Sequence, residues 1–212
     1  MLEKQIILIG GGGHCRACID VIESGHAFRI AGIVEQSGNN KIKAILGYPV
    51  IGYDNDLASL KKRYDFALIT VGQIGSSNTR QKIFHRLKKS GFTLPVIISP
   101  LAHVSKHAVL GEGTIAMHQA IVNAGAHIGR NCILNTRCHI EHDVKIGDHT
   151  HVSTAALLNG EAVIGSGSFV GSNATVVHGV KLPDNYFFKA GSLIISEKNG
   201  KPNFLAKSRN SD

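Results

Sequence analysis

Residues 126–152 read AHIGRNCILNTRCHIEHDVKIGDHTHV, and a single spacing runs through them. Ile128, Leu134, Ile140, Ile146 and Val152 fall six residues apart. Followed outward, the series starts at Val104 and ends at Ile194, with an apolar residue at every sixth position, Ala116 and Phe188 included. Four places after each of these the residue is small almost throughout: Ala108, Thr114, Ala120, Ala126, Cys132, Cys138, Thr150, Ala156, Ala162, Ser168, Ala174 and Ser192. Val144, Val180 and Tyr186 are the exceptions. A repeating flat side plus a tight corner produces this pair of series. The apolar residue fills the interior of a triangular prism, and only a small side chain fits inside each corner. Three hexads close a coil, so an 18-residue period follows. Leu110-Gly111, Ile128-Gly129, Ile146-Gly147 and Ile164-Gly165 supply it. Residues 101–195 are therefore expected to form a left-handed parallel β-helix, about 24 Å of strands stacked at roughly 4.8 Å each.

The first hundred residues follow a different rule. Apolar runs at Gln5–Gly10, Arg29–Val34, Phe66–Val71 and Leu94–Ile98 alternate with helical patterns at Cys15–Ser24, Asp54–Tyr64 and Asn78–Ser90. Alternation of this kind predicts a small parallel sheet with right-handed crossovers, a Rossmann-like α/β domain over residues 1–100. Ligands of such sheets sit at the carboxyl ends of the strands. Those ends carry the glycine run Gly10–Gly13, then Glu35–Ser37 and Gly72–Gly75. The run lacks the third glycine of a dinucleotide fingerprint, since Cys15 or Arg16 stands there. A phosphate cradle on a truncated nucleotide-binding sheet fits better. Residues 196–212 are left as a C-terminal tail.

Composition narrows the classes. The 212 residues carry a formal charge of +8, which calls for an anionic partner. The basic residues are scattered with no aromatic-basic cluster, favouring small phosphorylated ligands over nucleic acid. The apolar run at Ile6–Ile9 is too short for a signal segment, and no stretch approaches a membrane span. Cys15, Cys18, Cys132 and Cys138 suggest a reduced, cytoplasmic protein.

Residues the repeat does not need are free for chemistry. His142 stands at a turn position between Glu141 and Asp143. A carboxylate against an imidazole fixes its tautomer and raises its basicity, as a general base requires. Strand alternation places both carboxylates opposite the ring, so a local bend must bring one round. One coil above His142 is Gly160, expected to leave room for a ligand, and one coil below is Ala124. That column offers no ladder of metal ligands, and no metal is expected. His151, nine residues on, is expected at another outward position, on a different prism side, from which it could face His142 across a subunit boundary. His139 and His149 are expected at the surface.

These motifs together resemble a known family. GGGGH near the start, NTRCHIEHDVKIGDHTHVS at Asn135–Ser153 and LLNGEAVIGSGSFVGSNATV at Leu157–Val176 are similar to bacterial sugar acetyltransferases with hexapeptide repeats. That family includes sialic acid O-acetyltransferases and N-acetyltransferases of nucleotide-linked 4-amino sugars. The resemblance implies a homotrimer with sites between neighbouring helices, acetyl-CoA as donor and His142 as general base, tuned by Asp143. It places His151, Gly160, Ser172 and Ala190 along acetyl-CoA, and Gly12, Gly13, His14 and Gly72 against the nucleotide sugar. Two departures stand out. Glu35 and Gln36 follow the second strand where acidic residues are usual, and the tail ISEKNGKPNFLAKSRNSD lacks the family's glycine-asparagine-proline-alanine-lysine ending. The leading expectation is N-acetylation of a UDP-, GDP- or dTDP-linked amino sugar for surface-glycan synthesis. O-acetylation of sialic acid or another sugar, and a nucleotide-binding assembly protein without turnover, are the rivals.

Overall fold

The computed structural model describes residues 4–39, 43–198 and 201–204. Its N-terminal half is a five-stranded sheet in the order β3-β4-β2-β1-β5, formed by β1 (Gln5–Ile9), β2 (Arg29–Glu35), β3 (Ala44–Ile45), β4 (Tyr48–Tyr53) and β5 (Phe66–Ile69). All pairings are parallel except β3 with β4. The helices are α1 (Gly13–Gly25), α2 (Leu57–Lys61) and α3 (Asn78–Lys89). From β1 the chain runs to β2 on one side and later to β5 on the other. The carboxyl ends of β1 and β5 thus flank the point where the strand order reverses, the usual ligand crevice of such sheets.

Two expectations change here, and one hairpin is added. The helix expected over Asp54–Tyr64 is a single 3-10 turn, Asp54–Asp56, followed by α2. Asp56 accepts the Tyr53 N–H at 2.8 Å, and Tyr53 is the capping residue of the turn. The β3–β4 hairpin was not legible, since Pro49 and Gly52 interrupt its apolar pattern. The run at Leu94–Ile98 does not close the sheet. Thr93 makes only an isolated bridge to Phe66, whereas β6 (Ile97–Ile98) pairs in parallel with Ile115–Ala116. Ile97 is thus the first rung of a column continued 18 residues on by Ile115 and Ile133.

From β6 onward, two-residue strands stack into three parallel sheets. Together they form the left-handed β-helix that the spacing predicts. Its interior holds the apolar series, with Val122, Leu134, Ile140, Val152, Leu158, Val170 and Val176 all fully buried. Cys132 and Cys138 are inward corner residues, as their spacing implies, and all four cysteines are buried and free. Each corner is a β-turn. Ala120 N–H bonds Met117 O, Cys138 N–H bonds Asn135 O and Ala156 N–H bonds Ser153 O. The third turn residue is left-handed at every sixth position from Gly113 to Gly191, with φ between 53° and 76°. Type II turns demand this, which is why Gly and Asn recur there. At the Ile-Gly corners the coils touch: a Cβ on Gly129 would lie 2.6 Å from the Asp148 nitrogen.

The two halves share a core. Ile115, Met117 and Ile133, on one outer face of the β-helix, pack into the cluster formed by Ile6, Leu8, Cys15, Cys18, Ile19 and Ile22. The N-terminal sheet is thereby fixed against one prism side. The strand Leu193–Lys198 starts in the coil stack, in parallel with Thr175–Val176, and then pairs antiparallel with Lys201–Phe204. The rest of the expected tail, and with it any contact of that tail with CoA, lies outside the described residues. Among the described residues no helix is long and apolar enough to cross a membrane.

Candidate active site

Two clusters of candidate residues stand on different sides of the prism. The first is the corner after His139–Ile140. Asp143 occupies the left-handed turn position, φ 60°, and this is the bend that brings a carboxylate round to the histidine. His142 Nδ1 donates to Asp143 Oδ2 at 2.9 Å, leaving Nε2 as the basic atom. The other neighbour faces away: Glu141 pairs with His139 Nε2 at 2.9 Å and accepts from Asn123 Nδ2. The hydrogen bond to Asp143, reinforced by that residue's charge and those of Glu141 and Glu161, raises the His142 pKa above its ordinary value. His142 is well exposed, with 55% of its side chain accessible. The expected free space over Gly160 is taken by the imidazole itself, since a Cβ on Gly160 would lie 2.6 Å from Nε2. Glycine here seats the imidazole.

The second cluster lies where the N-terminal sheet meets the β-helix. His151 is not an exposed outward residue; it is 6% accessible. The loop after β5 covers it. His151 Nδ1 donates to Gln73 O at 2.7 Å, and Asn135 Nδ2 donates to Nε2 at 3.1 Å. Gln73 also donates to Ser168 O at 3.1 Å, sewing the loop to the next coil. Burial, acting with nearby Arg80, lowers the His151 pKa to about 4, so the ring is neutral. His14 lies close by, its Nε2 buried without a hydrogen-bond partner and its pKa lowered to about 3 by burial, Arg80 and His151. Gly72 brings the loop against His14: a Cβ on Gly72 would touch the His14 Cβ at 3.5 Å.

Around this cluster stand the other residues expected to meet a nucleotide. Gly12 caps α1 without a side chain, no acidic residue occupies the first turn, and the space above Gly12 and Gly13 is open. An uncovered helix N-terminus of this kind suits phosphate. Glu35 is buried and accepts hydrogen bonds from Gly11 N–H and Asn39 Nδ2, while Gln36 beside it is exposed. Ser172 hydrogen-bonds Ser153 at 3.0 Å at the corner leading out of the His151 sheet, and Ala190 is exposed one coil further.

The fold thus gathers Gly12, Gly13, His14, Glu35, Gly72 and His151 on one side, and His142, Asp143 and Gly160 on another. His149, expected at the surface, is instead buried against Phe84 and bonded to Asn131. Gln73, Asn135, Asn131 and Arg80 were not foreseen. Gln73 lay inside a loop already marked by its glycines, while Arg80 reads as an ordinary surface residue of a helix. Among the described residues no group of His, Cys, Asp and Glu could hold a metal ion.

Known proteins match this architecture in both halves. Residues 5–87 match the PglD N-terminal domain, and residues 125–160 match the bacterial transferase hexapeptide, a unit of six repeats. The UDP-N-acetylbacillosamine N-acetyltransferase of Bacillus subtilis is 31% identical over 116 residues, 54% of this chain and 51% of the relative. The chain thus spans about half the length of that curated relative. Among solved structures, a histidine-to-asparagine variant of perosamine N-acetyltransferase from Caulobacter crescentus, in complex with CoA and GDP-perosamine, superposes with a TM-score of 0.86. It shares 27% identity and covers 98% of this chain and 99% of that one. The acetyltransferase domain of PglB from Neisseria gonorrhoeae, solved with acetyl coenzyme A, has a TM-score of 0.74 at 27% identity, covering 96% and 100%. The chain thus carries a match to the PglD N-terminal domain followed by a match to the bacterial transferase hexapeptide, and over nearly its whole length it is similar in structure to sugar N-acetyltransferases.

Proposed function

We propose that the protein transfers the acetyl group of acetyl-CoA to the amine of a nucleotide-linked 4-amino sugar, for bacterial surface-glycan synthesis in the cytoplasm. The observation that carries this reading is the exposed His142–Asp143 pair seated on Gly160. The sugar nitrogen attacks the thioester carbonyl carbon and gives its proton to His142 Nε2. Asp143 holds the Nδ1 proton and stabilises the imidazolium that forms. The C–S bond then breaks, and the leaving CoA thiolate takes the proton from His142. Most of the rate comes from holding amine and thioester together. The open N-terminus of α1 at Gly12 and Gly13 receives the diphosphate, with His14 and Gly72 beside it.

The relatives solved with CoA and GDP-perosamine, or with acetyl coenzyme A, support this pairing of substrates. His142 and His151 stand on different prism sides of one chain, so a second chain must bring them together. A homotrimer with sites between neighbours supplies that arrangement. The four free cysteines agree with a reducing compartment.

The test is thiol release from acetyl-CoA against a panel of UDP-, GDP- and dTDP-linked 4-amino sugars, with sialic acid alongside. Release with an amino sugar is expected. Release with sialic acid alone would replace N- by O-acetylation, and no binding of acetyl-CoA would leave a nucleotide-binding assembly protein.

A further inference from the structure

Arg80 on α3 is a buried cation with no carboxylate partner among the described residues. It is 1% accessible, and burial lowers its pKa to about 10. Every bond it makes goes to neutral oxygen. Nη1 donates to Ile69 O at 3.1 Å and to Val71 O at 2.7 Å. Nη2 donates to Asn131 O at 3.1 Å and to Asn131 Oδ1 at 2.6 Å. Asn131 sits at a left-handed corner of the β-helix, φ 54°, and its Nδ2 reaches on to His149 Nδ1 at 2.9 Å. One guanidinium therefore ties the end of β5 to a corner of the prism, across the joint between the two halves. Burying an arginine against carbonyls is expensive, and a lysine could not make the same fork. Packing alone would be met more cheaply by an apolar residue.

Two residues past the Val71 carbonyl, the same loop holds His151 through Gln73 O. A carbonyl can only accept, so this bond fixes the proton on Nδ1 and leaves Nε2 as the acceptor that Asn135 meets. Arg80 and His151 thus grip one three-residue segment, Val71–Gln73, from opposite ends. The titratable groups around the guanidinium are Cys18 and His14 of α1, with Cys132, His149 and His151 of the β-helix. None of them supplies a negative counter-charge, because burial pushes Cys18 and Cys132 up to about 12.

We infer that Arg80 is a positioning residue: it clamps the Val71–Gln73 loop between the two halves of the chain and so sets the tautomer and place of His151. For catalysis this rests on the acetyl-transfer reading above, while the clamp itself does not.

The test uses Arg80→Met, Arg80→Lys and Asn131→Gly in the full chain. Glycine at 131 keeps the left-handed corner and the Asn131 backbone carbonyl, and removes the side-chain acceptor together with the amide's bonds to His149 and the Arg80 carbonyl. In the wild type, nitrogen-15 spectra of the histidines are expected to show His151 as the Nδ1–H tautomer. In Arg80→Met that signal is expected to change, and kcat to fall about tenfold or more with the acetyl-CoA KM little altered. Lysine, with its charge but no fork, is expected not to restore either readout, and Asn131→Gly to shift both in the same direction by less. If Arg80→Met does not fold, Asn131→Gly decides alone. A folded Arg80→Met, or failing that Asn131→Gly, with an unchanged His151 spectrum overturns the inference, whatever its melting temperature. A wild type without acetyl-transfer activity would remove the reaction but leave the spectroscopic arm to judge the clamp.

Discussion

The His142 imidazole rests on Gly160, one coil above it, so closely that a Cβ there would lie 2.6 Å from Nε2 and 2.7 Å from Cε1. Gly160 is buried beneath a ring that is itself exposed. The imidazole is thus placed by what its neighbour lacks. Gly160 does not need the left-handed region, so alanine suits its backbone and the conflict is with the ring alone.

Gly160→Ala should therefore leave stability within about 1 kcal/mol of the wild type, because the displaced ring swings into solvent. Activity should fall about a hundredfold, since a base moved by an ångström no longer meets its proton. Thermal melts beside steady-state kinetics check both halves. Wild-type kcat in this variant would refute the seat, and His142→Ala, expected to lose about 10²–10⁴, sets the floor.

Asp143→Asn isolates the electrostatics of the pair. The hydrogen bond to the Asp143 carboxylate is the main reason the His142 pKa lies above 6.5. A general base must be neutral, so kcat/KM rises with pH through that pKa. Removing the charge should move the acid limb to lower pH and reduce the plateau, because the weaker base is also less effective. A pH–rate profile from about pH 5 to 9 reads both, and an unmoved limb would detach His142 from the profile.

The coils and the histidine were legible in the sequence for the same reason. A repeat that dictates interior and corner positions marks whatever it does not dictate, and His142 falls outside it. Which carboxylate serves His142 was not legible, because alternation along a strand says nothing of a corner where φ turns positive, as at Asp143. His151 was misplaced at the surface because its cover comes from a loop some 78 residues away in sequence. Arg80 carries no local signal at all, since only the docking of α3 against Asn131 makes it interior. Nearby patterns were readable; contacts between the halves were not.

Ala155 and Ala156 should respond to substitution in opposite ways. Ala155 takes the left-handed corner position, φ 55°, which costs an L-residue about 1–2 kcal/mol. Ala155→Gly removes that strain and gives back about 0.5–1 kcal/mol in chain entropy, for a net gain of about 0.5–1 kcal/mol. Ala156, fully buried, is the small residue inside the corner. Ala156→Leu should cost about 1–3 kcal/mol or more by overpacking. Urea denaturation of both variants measures the contrast, and equal shifts would contradict the assigned corner geometry.

Acid should loosen the joint between the halves before it protonates the carboxylates. Burial holds His14 and His151 neutral, with folded-state pKa values of about 3 and about 4, against 6.5 for the free side chain. The unfolded chain therefore binds protons more readily than the folded one. The stability these groups contribute is complete above about pH 7 and is lost as pH falls through 6.5 toward the folded values. Each fully titrating histidine removes up to about 1.4 kcal/mol per pH unit, so the pair removes about 2 kcal/mol between about pH 6 and 5. His149, lowered by burial as well, acts in the same direction. Asp54 and Asp148, whose pKa values are lowered from 3.8, add to the loss only as pH falls below that value and do not blur this window. Urea melts from about pH 7 to about pH 5 should show the loss, and His151→Asn should remove about half of the pair's share. Parallel pH dependences in variant and wild type would mean that His151 is free to protonate in the folded protein, and that the loop carrying Gln73 does not seal it.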